Sequence, residues 1–345
     1  MSIQAKLLKF HDKIKLGRED GEYKSAREKD DSILKAVKKA LKDEGYPVIE
    51  DFLQGSQSTS TAVKHPVDDF DIDRSVVIAF DDAPDDPVKV KKIVLKVLED
   101  RGFKNAKIKK PCVTADYASL SLHIDIPLYR EQNGVYELAV GKKNSKDENK
   151  EWSNSDPKGL RDWINNKDGY IGSAIEKLKQ YKRIVRYLKR WRDVNFGSNV
   201  AKKVFSIGLT VMAKEKFKPS FDNNGKANDL VALRDTVSAI LNGFHFRDQG
   251  SDQYKVIVDL PMSPYRDIFD GSSVNTGTQL YNKLTSLRNK LDTVIAEGDL
   301  TKQCKILNEI FGDDFEVPSN SSKTSSNAAK ATYVTAGVAG TSQGA

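Results

Sequence analysis

Cysteine and histidine are scarce in this chain, with two of the first and four of the second in 345 residues. Cys112 and Cys304 lie far apart with no metal-ligand spacing around either, so reduced, buried thiols are expected rather than a disulfide. The histidines are scattered, and although His123 shares a strand face with Asp125, no Cys or His cluster accompanies it, so no zinc role is assigned. Long apolar runs are missing too. No stretch approaches the roughly 20 apolar residues of a membrane span. The segment Met1-Ser2-Ile3-Gln4-Ala5-Lys6 lacks the apolar region of a signal peptide, and the expected location is the cytoplasm. No internal repeat is evident. From Ser319 onward the composition collapses to Ser, Ala, Thr, Gly and Asn, too little apolar surface to offset the entropy of ordering, which predicts a disordered tail over 319–345.

What is present is 38% apolar residues, enough for one large core or two lobes, and a formal net charge of +7. Lys323 and Lys330 carry two of those charges in a tail without an acid, so the excess in the rest of the chain is modest and does not call for a nucleic-acid partner.

The chemistry is concentrated in three segments. Val48 to Leu53 reads as a short strand running into Gln54-Gly55-Ser56-Gln57-Ser58-Thr59-Ser60-Thr61. Glycine allows close backbone approach there, and N–H groups and hydroxyls of such a turn can hold phosphate oxygens. Asp71-Ile72-Asp73 then heads the apolar strand Val76-Val77-Ile78-Ala79-Phe80, and period-two alternation points Asp71 and Asp73 the same way. A third run, Leu120 to Leu128, puts Leu120, Leu122, Ile124, Ile126 and Leu128 on one face and Ser121, His123 and Asp125 on the other. If this strand pairs with the first, Asp125 joins the two acids. Three carboxylates beside a phosphate turn suit metal-assisted nucleotidyl transfer, in which two ions roughly 3.5 to 4 Å apart serve the attacking and leaving oxygens. Mg²⁺ fits such oxygen donors, with Mn²⁺ as an alternative.

In the second half, Ser173 to Asp193 carries Ile175, Leu178, Tyr181, Val185 and Leu188 at helical spacing, predicting a buried stripe, with Lys182, Arg186 and Lys189 on a second face. Helices are predicted at about 2–16, 23–43 and 86–100, and strands at about 48–54, 74–80, 108–116, 119–129 and 135–140. Beyond the polar loop 141–150, helices are predicted at about 158–166, 173–194, 202–216, 227–243, 278–297 and 301–311. This is an α+β chain of two lobes: a mixed-sheet lobe with N-terminal helices over 1–150 and a helical lobe over 151–318, with a nucleotide cleft between them.

The segments Phe52-Leu53-Gln54-Gly55-Ser56, Phe70-Asp71-Ile72-Asp73 and His123-Ile124-Asp125-Ile126-Pro127-Leu128-Tyr129 resemble the polymerase-β-like nucleotidyltransferases, and within them the cGAS/DncV-like nucleotidyltransferases, or CD-NTases, on the dinucleotide-synthase branch. Leu188-Lys189-Arg190-Trp191-Arg192-Asp193 and Phe205-Ser206-Ile207 resemble the family's triphosphate-gripping segments, and Asp259-Leu260-Pro261-Met262 resembles one near the nucleotide base. The spacer after Ser56 is slightly long and Asp69-Phe70-Asp71 is an alternative frame; Asp71 and Asp73 are preferred because Ile72 to Val77 then matches the family's run. Arg74 departs from that pattern, where an acid often follows; its charge would either alter metal affinity or face outward. The resemblance implies two Mg²⁺ ions on Asp71, Asp73 and Asp125, with Asp125 helping to activate the attacking ribose hydroxyl. It implies a triphosphate held by Gly55, Ser56, Lys189 and Ser206. It further implies an antiphage signalling enzyme making a cyclic di- or trinucleotide from ATP and GTP or other NTPs, a downstream effector for that product, and a C-terminus open to a ubiquitin-transfer-like partner. The alternatives are an RNA nucleotidyltransferase and a catalytically silent sensor of the same fold. Nucleic acid and membrane are not required.

Overall fold

The computed structural model describes residues 2–17, 20–64, 70–117, 122–170 and 172–318. The predicted tail and Asp69 lie outside the described residues, as do the side chains of Phe70 and Asp71. The sheet half contains α2 (Gly21–Asp43), β1 (Val48–Leu53), the single turn α3 (Gly55–Ser58), β2 (Phe70–Ala79), α4 (Pro87–Asp100), β3 (Lys107–Ile108), β4 (Val113–Tyr117), β5 (Leu122–Ile126), β6 (Leu128–Gln132), β7 (Val135–Val140) and β8 (Glu151–Ser155). The helical half contains α1 (Ile3–Ile14), α5 (Pro157–Asn165), α6 (Ala174–Asn195), α7 (Ser198–Ala201), α8 (Ser206–Lys216), α9 (Asp229–Leu241), the hairpin β9 (Phe246–Gly250) and β10 (Gln253–Val256), α10 (Val274–Ala296) and α11 (Leu300–Phe311).

Strand β2 organises the sheet. It pairs antiparallel with β1 and parallel with both β5 and β6, in a register that stays constant from Asp73 opposite Asp125 to Val76 opposite Leu128. The single strand predicted over 119–129 is thus two, divided at Pro127. Proline has no N–H to give a ladder, but its carbonyl still accepts from Val76 N at 3.1 Å, so the pairing survives the division. β4 continues the sheet beyond β5, and β7 and β8 continue it beyond β6. β2 also begins earlier than the predicted residue 74, because the acid-bearing stretch is itself paired with β5.

Alternation along β2 assigns its two faces. Ile72, Val76 and Ile78 enter a core closed by Ile33, Val37 and Leu41 of α2 and by Val90, Val94 and Leu98 of α4. Opposite, Val77 packs with Tyr129, Tyr136, Leu138 and partly buried Phe52. The helical half has its own core, in which Tyr181, Val185 and Leu188 of α6 meet Leu209, Val237, Leu284 and Phe311.

The structure corrects several expectations. α1 buries Leu7, Phe10 and Ile14 in the helical core, so of the two N-terminal helices only α2 covers the sheet. The sheet runs past residue 150, since Glu151–Ser155 forms β8 on β7. In α6, Ile175 is 57% exposed because the helix's first turn projects beyond the core that buries Tyr181, Val185 and Leu188. Arg74 does not face outward. It shares the α2 face of β2 and is buried there, its guanidinium on Asp30, Asp31 and Asp51.

Candidate active site

The turn after β1 is shaped by one glycine. Gly55 has φ +63°, and a Cβ added to it would stand 2.1 Å from Asp73 Oδ2, so both the backbone angle and the closeness of the carboxylate require glycine. The junction is fastened to β2 by Gln54 N, which donates to the Asp73 carbonyl at 3.0 Å, and by Gln54 Oε1, which accepts from Ser75 Oγ at 2.8 Å and Tyr129 Oη at 3.0 Å. Beyond it the chain folds on itself: Ser58 Oγ donates to Gly55 O at 2.9 Å, Thr61 N donates to Ser56 O at 2.9 Å, and the hydroxyls of Thr59 and Thr61 lie 2.9 Å apart.

Helix α6 grips this loop from the other side. Lys189 Nζ donates to Thr61 O at 3.1 Å and to Thr61 Oγ1 at 3.2 Å, while Arg186 donates to Ser60 O at 2.6 Å and Ala62 O at 3.1 Å. Lys189 therefore reaches the predicted phosphate turn, on which it makes direct contact. Arg192, one helical turn further, donates to Ser206 Oγ at 2.5 Å. Gly55, Ser56, Thr61, Asp73, Lys189, Arg192, Arg161 and Ser206 all line one cavity of about 300 Å³. The predicted triphosphate residues are thus gathered. Arg161 and Arg192 are additions that sequence reasoning missed, although Arg192 stands three residues after Lys189 and so on the same side of a helix. Segment 259–262 is absent from the cavity wall; Leu260 packs against the helical core instead.

The acids come from paired strands. Asp73 in β2 and Asp125 in β5 are in register on adjacent parallel strands, which puts their side chains on one face of the sheet. Asp71 occupies the register position opposite His123. Burial works against ionisation of Asp125, but the neighbouring His123 imidazole, the Lys109 ammonium and the Thr114 hydroxyl outweigh it and hold the carboxyl down at about 2. Asp125 is therefore a carboxylate throughout the neutral range. Among the described residues no group of three His, Cys, Asp or Glu side chains converges as a metal site. The pair that is described, Asp73 and Asp125, supplies anionic oxygens only, the donor type that a hard divalent cation takes, and the glycine at 55 keeps that side clear.

The burial of Lys189 makes a measurable prediction. Burial, followed by the charges of Arg192 and Arg186, lowers its ammonium from 10.5 to about 7. The unfolded chain then holds more protons between those values, so the cost of burying the ammonium is fully present below pH 7 and is relieved as pH rises toward 10.5. A polyphosphate bound against Lys189 would act in the opposite sense, restoring the proton. NTP binding at pH 8 should take up close to one proton, visible as a buffer-dependent calorimetric heat, and affinity should weaken as pH rises above 7. Lys189→Met should remove the uptake and weaken binding; a wild-type-like heat in that variant would show that Lys189 does not meet the phosphates.

Residues 50–129 match the family model for the nucleotidyltransferase domain of DncV-like cyclic GMP-AMP synthases. A cyclic GMP-AMP synthase from Escherichia albertii is 28% identical over 200 residues, 55% of this chain, and the match spans 42% of that protein. Among solved structures, the Bradyrhizobium diazoefficiens CD-NTase CdnG in complex with GTP superposes with a TM-score of 0.67 at 16% identity, covering 91% of this chain and 97% of that one. Vibrio cholerae DncV, in complex with the linear intermediate 5′ pppA(3′,5′)pG, gives 0.58 at 20% identity over 77% of this chain and 69% of that one. At these identities the two structures establish the fold.

Proposed function

We propose that this chain, which carries a cGAS/DncV-like nucleotidyltransferase domain on a polymerase-β-like CD-NTase fold, joins NTPs into a small cyclic oligonucleotide. The observation that carries the proposal is the convergence of Asp73, the Gly55-Ser56 turn, Lys189, Arg192 and Ser206 on one cavity, with Asp125 in register beside Asp73. The relatives support the substrate class, since CdnG was solved with GTP and DncV with a linear pppA(3′,5′)pG intermediate.

In this reading Asp73 and Asp125, together with Asp71, hold divalent cations, Mg²⁺ or Mn²⁺. Such ions, when bound, lower the pKa of the attacking hydroxyl and neutralise charge on the leaving pyrophosphate. The protein's own part is positional. Ser56 and the turn at Gly55 receive phosphate oxygens; Lys189, Arg192 and Ser206 close on the same oxygens from the helical half. Asp125, a carboxylate at neutral pH, orients the hydroxyl end of the acceptor. The sheet half, α2 with β1 to β8, and the helical half, α1 with α5 to α11, supply the two walls. No helix among the described residues is long and apolar enough to cross a membrane, and a released product acting on a separate effector in antiphage signalling suits such a chain.

A linear intermediate held in one cavity has its free hydroxyl and its triphosphate in the same site, so ring closure replaces a bimolecular encounter with an intramolecular one. The expected product from the four NTPs with Mg²⁺ is resistant to phosphatase and has the mass of a cyclic species. A major product that loses phosphate, or that forms only when RNA is supplied as primer, would replace this proposal with RNA nucleotidyl transfer. Absence of any product would favour a silent sensor.

A further inference from the structure

Lys109, between β3 and β4, is not a loose surface lysine. Its side chain is 11% exposed, and its ammonium lies 3.4 Å from Asp125 Oδ1 and 2.9 Å from His123 Nε2. His123 is itself held between two carboxylates, with Nδ1 against Asp116 and Nε2 3.4 Å from Asp125 Oδ1, and the Thr114 hydroxyl lies 2.7 Å from the same Nε2. Asp116 is fixed in turn by Asn105 Nδ2 at 2.7 Å. The backbone is pinned as well, because buried Lys91 Nζ donates to the carbonyls of Lys109, Lys110 and Gly141, each at 2.8 Å, and of Ala139 at 3.2 Å. A cation is therefore built into the wall of the acidic site and held there by neighbours on three sides.

We propose that Lys109 is a resident counter-cation that keeps divalent metal affinity low in the nucleotide-free protein, so that metal is acquired with the nucleotide. The inference rests on the reading of Asp125 as a metal ligand. A divalent ion on Asp125 must share that carboxylate with a fixed ammonium, and the repulsion across a few ångströms of partly buried space is strong. The phosphates of an incoming NTP add negative charge that offsets the ammonium, and metal and nucleotide then bind with positive coupling. Lys109 acts through Asp125, as a positioning residue.

The test is a Mn²⁺ titration of the full chain without nucleotide, followed by electron paramagnetic resonance. Lys109→Met and Lys109→Gln should each bind Mn²⁺ about tenfold more tightly than wild type, since both remove the charge. Lys109→Arg, which keeps it, should stay within about twofold. Two neutral variants of different shape guard against one failing to fold. With a non-hydrolysable NTP analogue present, the gap between wild type and the neutral variants should shrink. Unchanged or weaker Mn²⁺ binding in the neutral variants, or equal tightening in Lys109→Arg, overturns the inference. Asp125→Asn in the same titration separates the two ideas: if it binds Mn²⁺ as well as wild type, the ligand assignment is what fails.

Discussion

Asp73→Asn should abolish nucleotide joining, by more than about a hundredfold, while the protein melts at about the same temperature. Both halves follow from where the side chain sits. Asp73 is partly exposed in the cavity wall, between the Gly55 turn and the strand that carries Asp125. The substitution leaves the volume unchanged, and it removes a charge that lies near the Asp125 carboxylate but also favours the buried Lys189 ammonium, so the net effect on folding is small. Added Mg²⁺ should raise the wild-type melting temperature by mass action, and this rise should be lost or much reduced in the variant. Product analysis by mass spectrometry with parallel melts, with and without Mg²⁺, decides the matter. A variant that keeps more than a few per cent of wild-type activity would remove Asp73 from the metal assignment.

The second large effect is on stability. Arg74 is 7% exposed and Asp30 1%. The guanidinium donates to Asp30 Oδ2 through Nε at 3.0 Å and Nη2 at 2.5 Å, to Asp51 Oδ1 at 3.0 Å and to Asp31 Oδ1 at 3.1 Å. Burial pushes the Asp30 carboxyl above its usual value even against the opposing pull of Arg74. Arg74→Ala should therefore cost about 1–3 kcal/mol, because it removes most of the hydrogen bonds to buried Asp30 and leaves Arg27 Nη1, at 2.7 Å, as its remaining cation. Replacing both residues with hydrophobes, as in Arg74→Met with Asp30→Leu, should recover part of that loss, since Arg27 and Asp51 keep their partners Asp31 and Lys38. Urea melts of the single and double variants check both statements, and a single-variant loss below about 1 kcal/mol would mean that water reaches Asp30.

How legible the site was in the sequence depends on how local each signal is. Gly55, Asp73 and Asp125 were readable because a small-residue turn and period-two strands mark themselves, and the only long-range step was that β2 and β5 pair. Lys189 and Ser206 needed the resemblance, since a lysine on a helix carries no local mark of what it faces. Arg74 was misread because nothing near it in sequence announces Asp30 and Asp51, brought to it by α2 and β1. β8 was missed for a related reason: Glu151-Trp152-Ser153-Asn154-Ser155 has one large apolar residue, and the strand exists because β7 offers it a ladder. The β9–β10 hairpin is polar as well, and its turn at Ser251 and Asp252, both at positive φ, follows Gly250 rather than carrying the Asn-Gly or Asp-Gly pair that flags a tight hairpin.

Arg186 and Lys189 hold main-chain oxygens of residues 60–62 from a helix rooted in one core, while Gln54 and Gly55 fix the other end of the same loop against a strand rooted in the other. The loop is thus anchored at both ends before any ligand arrives. The conformational entropy of its backbone is lost during folding and does not weaken nucleotide affinity, which is preorganisation in its thermodynamic sense.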